Sequence, residues 1–411
     1  MRRTREGWKK IALASTAVFW LAASPAGADN AEREVWRLFV ADHTAPVVRA
    51  IDLETGTGLG NFDLKGFAAL TASASGRTVF AVQTEADMVQ AISTGIAVSD
   101  HGEHRDVDIK APEMLPVSFE GRRPVHAVPH DDRMILFFDR EGRADVVGED
   151  ALLEGKTDIR AVDATAPHHG VAVTMGRHTL VSVPATKAEV KPDELPPRLG
   201  LRVLDESSKQ VGDVTPCTAL HGEALSARLV AFGCEEGVLL ARPGGSAGPK
   251  LEMLPYGGAL PKSKVTTLLG GKSMQFFLGN FGEDKLVVID PDAEEPYRLV
   301  ELPTRRVDFA LDPARAKNAY ILTEDGDLHL LNVLNGSIVG TVRVTEPYSK
   351  DGHWRDPRPR LAVAGDVIAI TDPRHSLVRI IDIETFSESR TIPVEGMPFA
   401  IVAVGGSGID H

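Results

Sequence analysis

Cysteine is scarce in this chain, with 2 among 411 residues, and so is positive charge, with 45 Lys and Arg against 58 Asp and Glu. Long apolar runs are missing as well. Beyond the first 28 residues nothing approaches the roughly 20 apolar residues that a spanning helix requires, so no membrane insertion is expected. The net charge of −13 argues against nucleic acid and anionic membranes as partners, and for cations or basic surfaces, besides keeping the chain in solution. Helical periodicity is nearly absent too, which leaves strands as the regular structure. Catalytic signatures are lacking: there is no Gly-x-Ser-x-Gly, no His-Glu-x-x-His and no phosphate loop. The expectation is therefore a protein that is not an enzyme.

What is there begins with an export leader. Arg2, Arg3, Arg5, Lys9 and Lys10 form a basic start, Ile11 to Ala23 an apolar middle, and Ala26-Gly27-Ala28 a small-residue cleavage site. The reading is a signal peptide over 1–28 and one domain over 29–411. The Arg2-Arg3 pair hints at twin-arginine export, but the residues after it fit poorly. The leader has five basic residues and one acidic, so removing its net +4 takes the chain from −13 to −17. In an exported protein the isolated pair Cys217 and Cys234 favours a disulfide. The rival is Cys217 as a soft metal ligand beside His221, which a disulfide would exclude, since only the thiolate binds metal.

Short runs rich in Val, Ile, Leu and Phe alternate with Gly, Asp, Asn and Pro clusters throughout, the pattern of an all-β fold. A weak repeat of apolar strand, turn and second strand recurs, as in Arg37–Asp42 followed by Val48–Asp52, and in Val367–Thr371 followed by Val378–Asp382. Its period of about 40 to 55 residues is that of a propeller blade. Innermost strands are expected to start near Phe67, Val125, His169, His221, Val265, Val307, Arg360 and Met397. The last has no chain left for a blade and would pair with the strands at 36–62 to close the ring. The prediction is a single β-propeller of eight blades, with seven as the alternative, and with the main insertions in 84–122 and 184–215.

Aligning the blade starts puts His126, His169 and His221 in one column on blades 3, 4 and 5, followed by Thr266 and Asp308. A single such histidine is ordinarily a hydrogen-bonded rim residue. Three in register are a borderline-soft metal site, which suits Zn2+ and leaves one position for water, a carboxylate or a fourth histidine. Glu223 and Asp163 lie close in sequence, though strand alternation turns them away. Asp100-His101-Gly102-Glu103-His104, in the blade 2 insertion, offers two further imidazoles as a fourth ligand, a cap or a weaker site. His168 is an alternative ligand or an outer partner, because adjacent strand residues face opposite ways.

These pieces together resemble a known family. Asp100-His-Gly-Glu-His104, Arg123-Pro-Val-His126, Pro167-His-His-Gly-Val-Ala172 and Cys217 with Leu220-His-Gly-Glu223 are similar to the AztD family of periplasmic zinc metallochaperones, over most of the mature chain. The resemblance implies high-affinity zinc binding and handover to the solute-binding protein of a zinc ABC importer, in the periplasm, and it would make the cysteines a disulfide. It also departs from the family's pattern: the segment after the leader, Asp29 to Trp36, has no histidine-rich tail. The expectation is thus a monomeric zinc carrier. The rivals are a lactonase-like hydrolase using metal-bound water and a metal-free protein-binding scaffold.

Overall fold

The computed structural model describes residues 34–100 and 105–406. Strands fall into eight four-stranded antiparallel sheets, plus one two-stranded ribbon. Each sheet is a blade, and the ring has eight blades rather than seven. The innermost strands are Pro398–Gly406 in blade 1, then Ala69–Ala72, Pro124–His130, Ala172–Met175, Glu223–Ser226, Leu268–Leu269, Arg306–Leu311 and Leu361–Ala364 in blades 2 to 8. All eight begin within three residues of the starts read from sequence, because turn residues mark each entry into a strand.

The second strand of each blade is covered on both faces by neighbouring sheets, so its sequence is a continuous apolar run. Thr78–Gln83 is buried at every position, and so are all but the first residue of Val367–Asp372. The largest fully buried side chains, including Phe39, Phe80, Phe137, Phe232, Phe277 and Tyr320, come from these second strands. Each such ring contributes about 1.5–3 kcal/mol by leaving water. Outermost strands are covered on one face only: Ser337–Arg343 alternates between exposed and half-buried residues.

The ring closes as expected from sequence. Pro398–Gly406 pairs antiparallel with Val35–Asp42, from Val35 opposite Gly406 to Asp42 opposite Pro398. Asp42 locks this seam. Its Oδ1 accepts from the Thr44 and Ala45 amides at 2.8 and 3.0 Å, and its Oδ2 accepts from the Met397 amide and from Arg49 Nη1, each at 3.1 Å. Gly396, at φ +83°, comes so close that a Cβ there would overlap Asp42 Oδ2.

Antiparallel alternation gives the ring two rims. The chain enters every innermost strand at one, the entry rim, where the connections between second and third strands also lie. Connections between third and fourth strands lie at the other, the exit rim. The ribbon Ile96–Asp100 with Arg105–Ile109 grows from the third-to-fourth connection of blade 2, on the exit rim. Consistent with that, Val98 packs near Gly406, the end of the blade 1 innermost strand. The second expected insertion lies between Pro184 and Arg198 in blade 4. Cys217 and Cys234 form a disulfide, which removes Cys217 as a metal ligand.

Burial alone would raise the Asp42 pKa, but hydrogen bonds from Thr44, Ala45 and Met397 outweigh it and hold the carboxyl below its ordinary value. A carboxyl depressed on folding adds stability above the ordinary carboxylate range, and that contribution disappears as pH falls through the depressed value. Asp42→Ala should cost about 3–5 kcal/mol in urea unfolding at neutral pH by stranding Arg49, and distinctly less in strong acid. An equal loss at both pH values would show that the carboxylate charge does not hold the seam.

Candidate metal centre

All three column histidines lie at the entry rim: His126 on the blade 3 innermost strand, His169 and His221 just before those of blades 4 and 5. The rings approach closely, with centroids 4.8 Å apart for His126 and His169 and 5.6 Å apart for His169 and His221. Each Nδ1 is turned outward to a partner. His169 Nδ1 donates to Asp139 Oδ2 at 2.8 Å, and His221 Nδ1 donates to the Thr266 carbonyl at 2.8 Å. His126 Nδ1 faces Glu223 Oε1 at 3.6 Å. With every Nδ1 turned outward, every Nε2 is left to present a lone pair inward. The Nε2 atoms of His126 and His169 are 3.4 Å apart. Two nitrogens bound at ~2.0–2.1 Å to one tetrahedral zinc stand about 3.4 Å apart. Among the described residues no group of three His, Cys, Asp or Glu side chains is already closed tightly enough to hold a metal. The His221 ring stands farther from that of His169 than the His126 ring does.

Asp139 owes its place to the repeat. Blades 1, 3 and 8 each carry a buried Asp at or just after the end of the second strand: Asp42, Asp139 and Asp372. In blades 1 and 8 an arginine seven residues on pairs with it, Arg49 at 3.1 Å and Arg379 at 2.8 Å. In blade 3 that position is Val146. The Asp139 carboxylate therefore lacks the arginine of its own third strand and takes the His169 imidazole of the next blade, while Arg123, at the blade 3 entry, has its Nε 3.5 Å away. Sequence reasoning missed this role; the signal was an Asp without its arginine. Glu223, which alternation seemed to turn away, does reach the site, and its Oε2 is buried without a partner. Arg198 donates to the His169 carbonyl beneath the ring.

The other sequence-picked residues go elsewhere. His168 is fully buried with both nitrogens engaged, Nδ1 with the Ala166 carbonyl at 2.8 Å and Nε2 with Ser182 Oγ at 2.7 Å. It ties the blade 4 entry together and has no lone pair for a metal. His101 and His104 lie outside the described residues. The strands flanking them, Ile96–Asp100 and Arg105–Ile109, grow from the exit rim. The Thr266 carbonyl, rather than its side chain, serves the site. Asp308 caps the Leu361 amide at 3.0 Å.

Electrostatics divides the trio. Burial pushes His221 down to about 4, aided by Arg198 and the two neighbouring imidazoles. Burial also lowers His169 despite Asp139. For His126 burial acts the same way, but Glu223 and Asp139 outweigh it and hold the ring above its ordinary value.

No family model matches the sequence. The chain is similar to the zinc chaperone AztD of Citrobacter koseri, at 47% identity over 398 residues, covering 97% of this chain and 93% of that protein. A crystal structure of Citrobacter koseri AztD superposes with a TM-score of 0.87, covering 92% of this chain and all of that one. Its apo form gives 0.86 at 45% identity, covering 92% and 100%. The dihydro-heme d1 dehydrogenase NirN, at 12% identity and a TM-score of 0.56 over 93% of this chain and 77% of that one, shares the fold alone.

A metal must displace a proton from any charged imidazole it takes as a ligand. Zn2+ affinity should therefore be full above the raised His126 pKa and fall about tenfold per pH unit below it, one proton per zinc. His169 and His221 join only in stronger acid. Glu223→Gln removes the carboxylate that raises His126, so the onset of loss should move to lower pH. Competition titrations across the mildly acidic range test this; an onset unchanged in the variant contradicts it.

Proposed function

Since this chain belongs to the AztD family of zinc chaperones, we propose that it carries one Zn2+ on His126, His169 and His221 in the periplasm and delivers it to the solute-binding protein of a zinc ABC importer. The observation that supports this most is the outward commitment of three Nδ1 atoms together with the 3.4 Å Nε2 pair. Neutral imidazoles aligned in advance lose little freedom on binding, and outer carboxylates raise their donor strength. Glu223 faces the outward nitrogen of His126, so in this reading it orients that ring rather than binding zinc. Three protein ligands then leave the fourth position to water or to an incoming donor.

That open position gives the handover its chemistry. A donor from the acceptor enters as fourth ligand before any histidine leaves, so zinc is never released bare. His221 leaves first in this scheme, because its ring stands farther from His169 than that of His126 does. The Asp100–His104 segment serves as a weaker collecting station. The leader is removed after Ala28, residues 29–411 form the working protein, and it acts as a monomer without catalysis. Among the described residues no helix is long and apolar enough to cross a membrane. A hydrolytic role would need a general base beside metal-bound water, and Glu223 is turned to the wrong side of His126 for that.

Protein exported to a periplasm should contain about one zinc per chain by elemental analysis, as expected of one three-histidine site. The triple variant His126→Ala, His169→Ala, His221→Ala should contain none while keeping its β-sheet spectrum. Asp139→Asn should keep the ligands but weaken zinc by about 10–100-fold. Incubating loaded protein with zinc-free solute-binding protein should move the metal across faster than a chelator of equal affinity removes it. Metal-free wild type that takes up no zinc at neutral pH would end this reading.

A further inference from the structure

The entry rim carries a second unusual group of side chains on blades 7 and 8, across the channel mouth from blades 3 to 5. Arg306 opens the blade 7 innermost strand, Arg360 precedes that of blade 8, and Lys350 and Arg358 sit in the connection between the two blades. Four cations thus gather in a chain whose net charge is −13. Like charges clustered against low-dielectric protein repel unless an anion joins them.

Nearby carboxylates do not supply that anion to Arg306 or Lys350. Glu324 and Asp351 are taken by Arg305, at 2.7 and 2.9 Å. Asp308 is spent on the Leu361 amide and reaches Arg360 only at 3.9 Å. Among the described residues no carboxylate oxygen lies within 4.0 Å of a charged nitrogen of Arg306 or Lys350. Arg306 Nη1 is buried without any hydrogen-bond partner.

Arg358 is different. Its guanidinium donates to the carbonyls of Ser349, His353 and Asp351 at 2.7, 2.9 and 2.7 Å, and Asp356 Oδ2 lies 3.6 Å from its Nη2, so it shapes the connection, has a carboxylate beside it and offers no free donor. The other two guanidinium groups lie on aromatic faces, Arg306 over Phe309 at 5.0 Å and Arg360 over Phe399 at 5.2 Å. Stacking fixes the plane of each fork; Arg360 Nη1 donates to the Val307 carbonyl at 3.3 Å, and the remaining N–H groups of the two forks are left for an acceptor, the arrangement that suits a planar carboxylate.

We propose that Arg306, Lys350 and Arg360 form a carboxylate-binding station at the entry rim, facing the three histidines across the channel mouth. Burial and the three arginines push Lys350 down to about 8, as expected of an ammonium lacking its counter-ion. The carboxylate comes either from a free polyacid or from an acidic segment of a protein partner; both present the same planar group. The station goes beyond zinc carriage and does not require zinc to be bound.

Calorimetric titration of the zinc-free mature protein with citrate, and separately with a hexaglutamate peptide, tests it. At least one should bind, with heat that fades as salt rises. Binding of citrate alone points to a free acid, and binding of the peptide alone or more tightly points to a partner's acidic segment. Lys350→Gln with Arg360→Gln should weaken binding by about tenfold or more, while zinc uptake stays at the wild-type level. Should the double variant fail to fold, citrate must still raise the melting temperature of the wild type above the effect of sodium chloride at equal ionic strength. No heat with either ligand, undiminished binding in a folded double variant, or a melting shift matched by chloride would each overturn the proposal.

Discussion

Everything in this molecule depends on the seam where Pro398–Gly406 joins Val35–Asp42. Without it blade 1 has three strands, its innermost strand is gone, and the ring has two open edges. Open edges bare unpaired backbone groups and invite association with other chains. With it, eight sheets constrain one another, and positions far apart in sequence acquire fixed neighbours around the channel. The three histidines, on three successive blades, meet only because the ring is closed. The same holds for the arginines of blades 7 and 8.

Much of the fold was legible because a propeller writes its geometry as repetition. Val367–Asp372 and Thr78–Gln83 read as buried strands, since a strand covered on both faces tolerates apolar side chains in succession. Blade starts were legible because each follows a turn. The column of His126, His169 and His221 came from that alignment, and the structure places the three rings side by side at one rim.

What stayed hidden depended on side-chain direction and on which rim a loop leaves. His168 and His169 are adjacent, and only the fold shows one ring locked between Ala166 and Ser182 and the other open to the channel. The ribbon Ile96–Asp100 with Arg105–Ile109 is next to blade 3 in sequence, but it emerges from a third-to-fourth connection and hence from the other end of the channel. Glu223 was discounted on strict alternation, yet it begins the strand just after the left-handed Gly222, where the alternating pattern has not yet set in. Asp139 could have been found by comparing blades, since Val146 stands where Arg49 and Arg379 stand in blades 1 and 8.

Placing one proposed ligand on each of three blades would also have a mechanical side. A metal held this way is a rivet through three otherwise separate plates: it adds a cross-tie at the rim, between units that elsewhere touch through apolar faces. Tension that splays blades 3, 4 and 5 would be felt first as lengthened metal bonds, and a metal drawn out would let those plates breathe. Loading and unloading would then alter the stiffness of one arc of the ring while the seam on the other side stays shut.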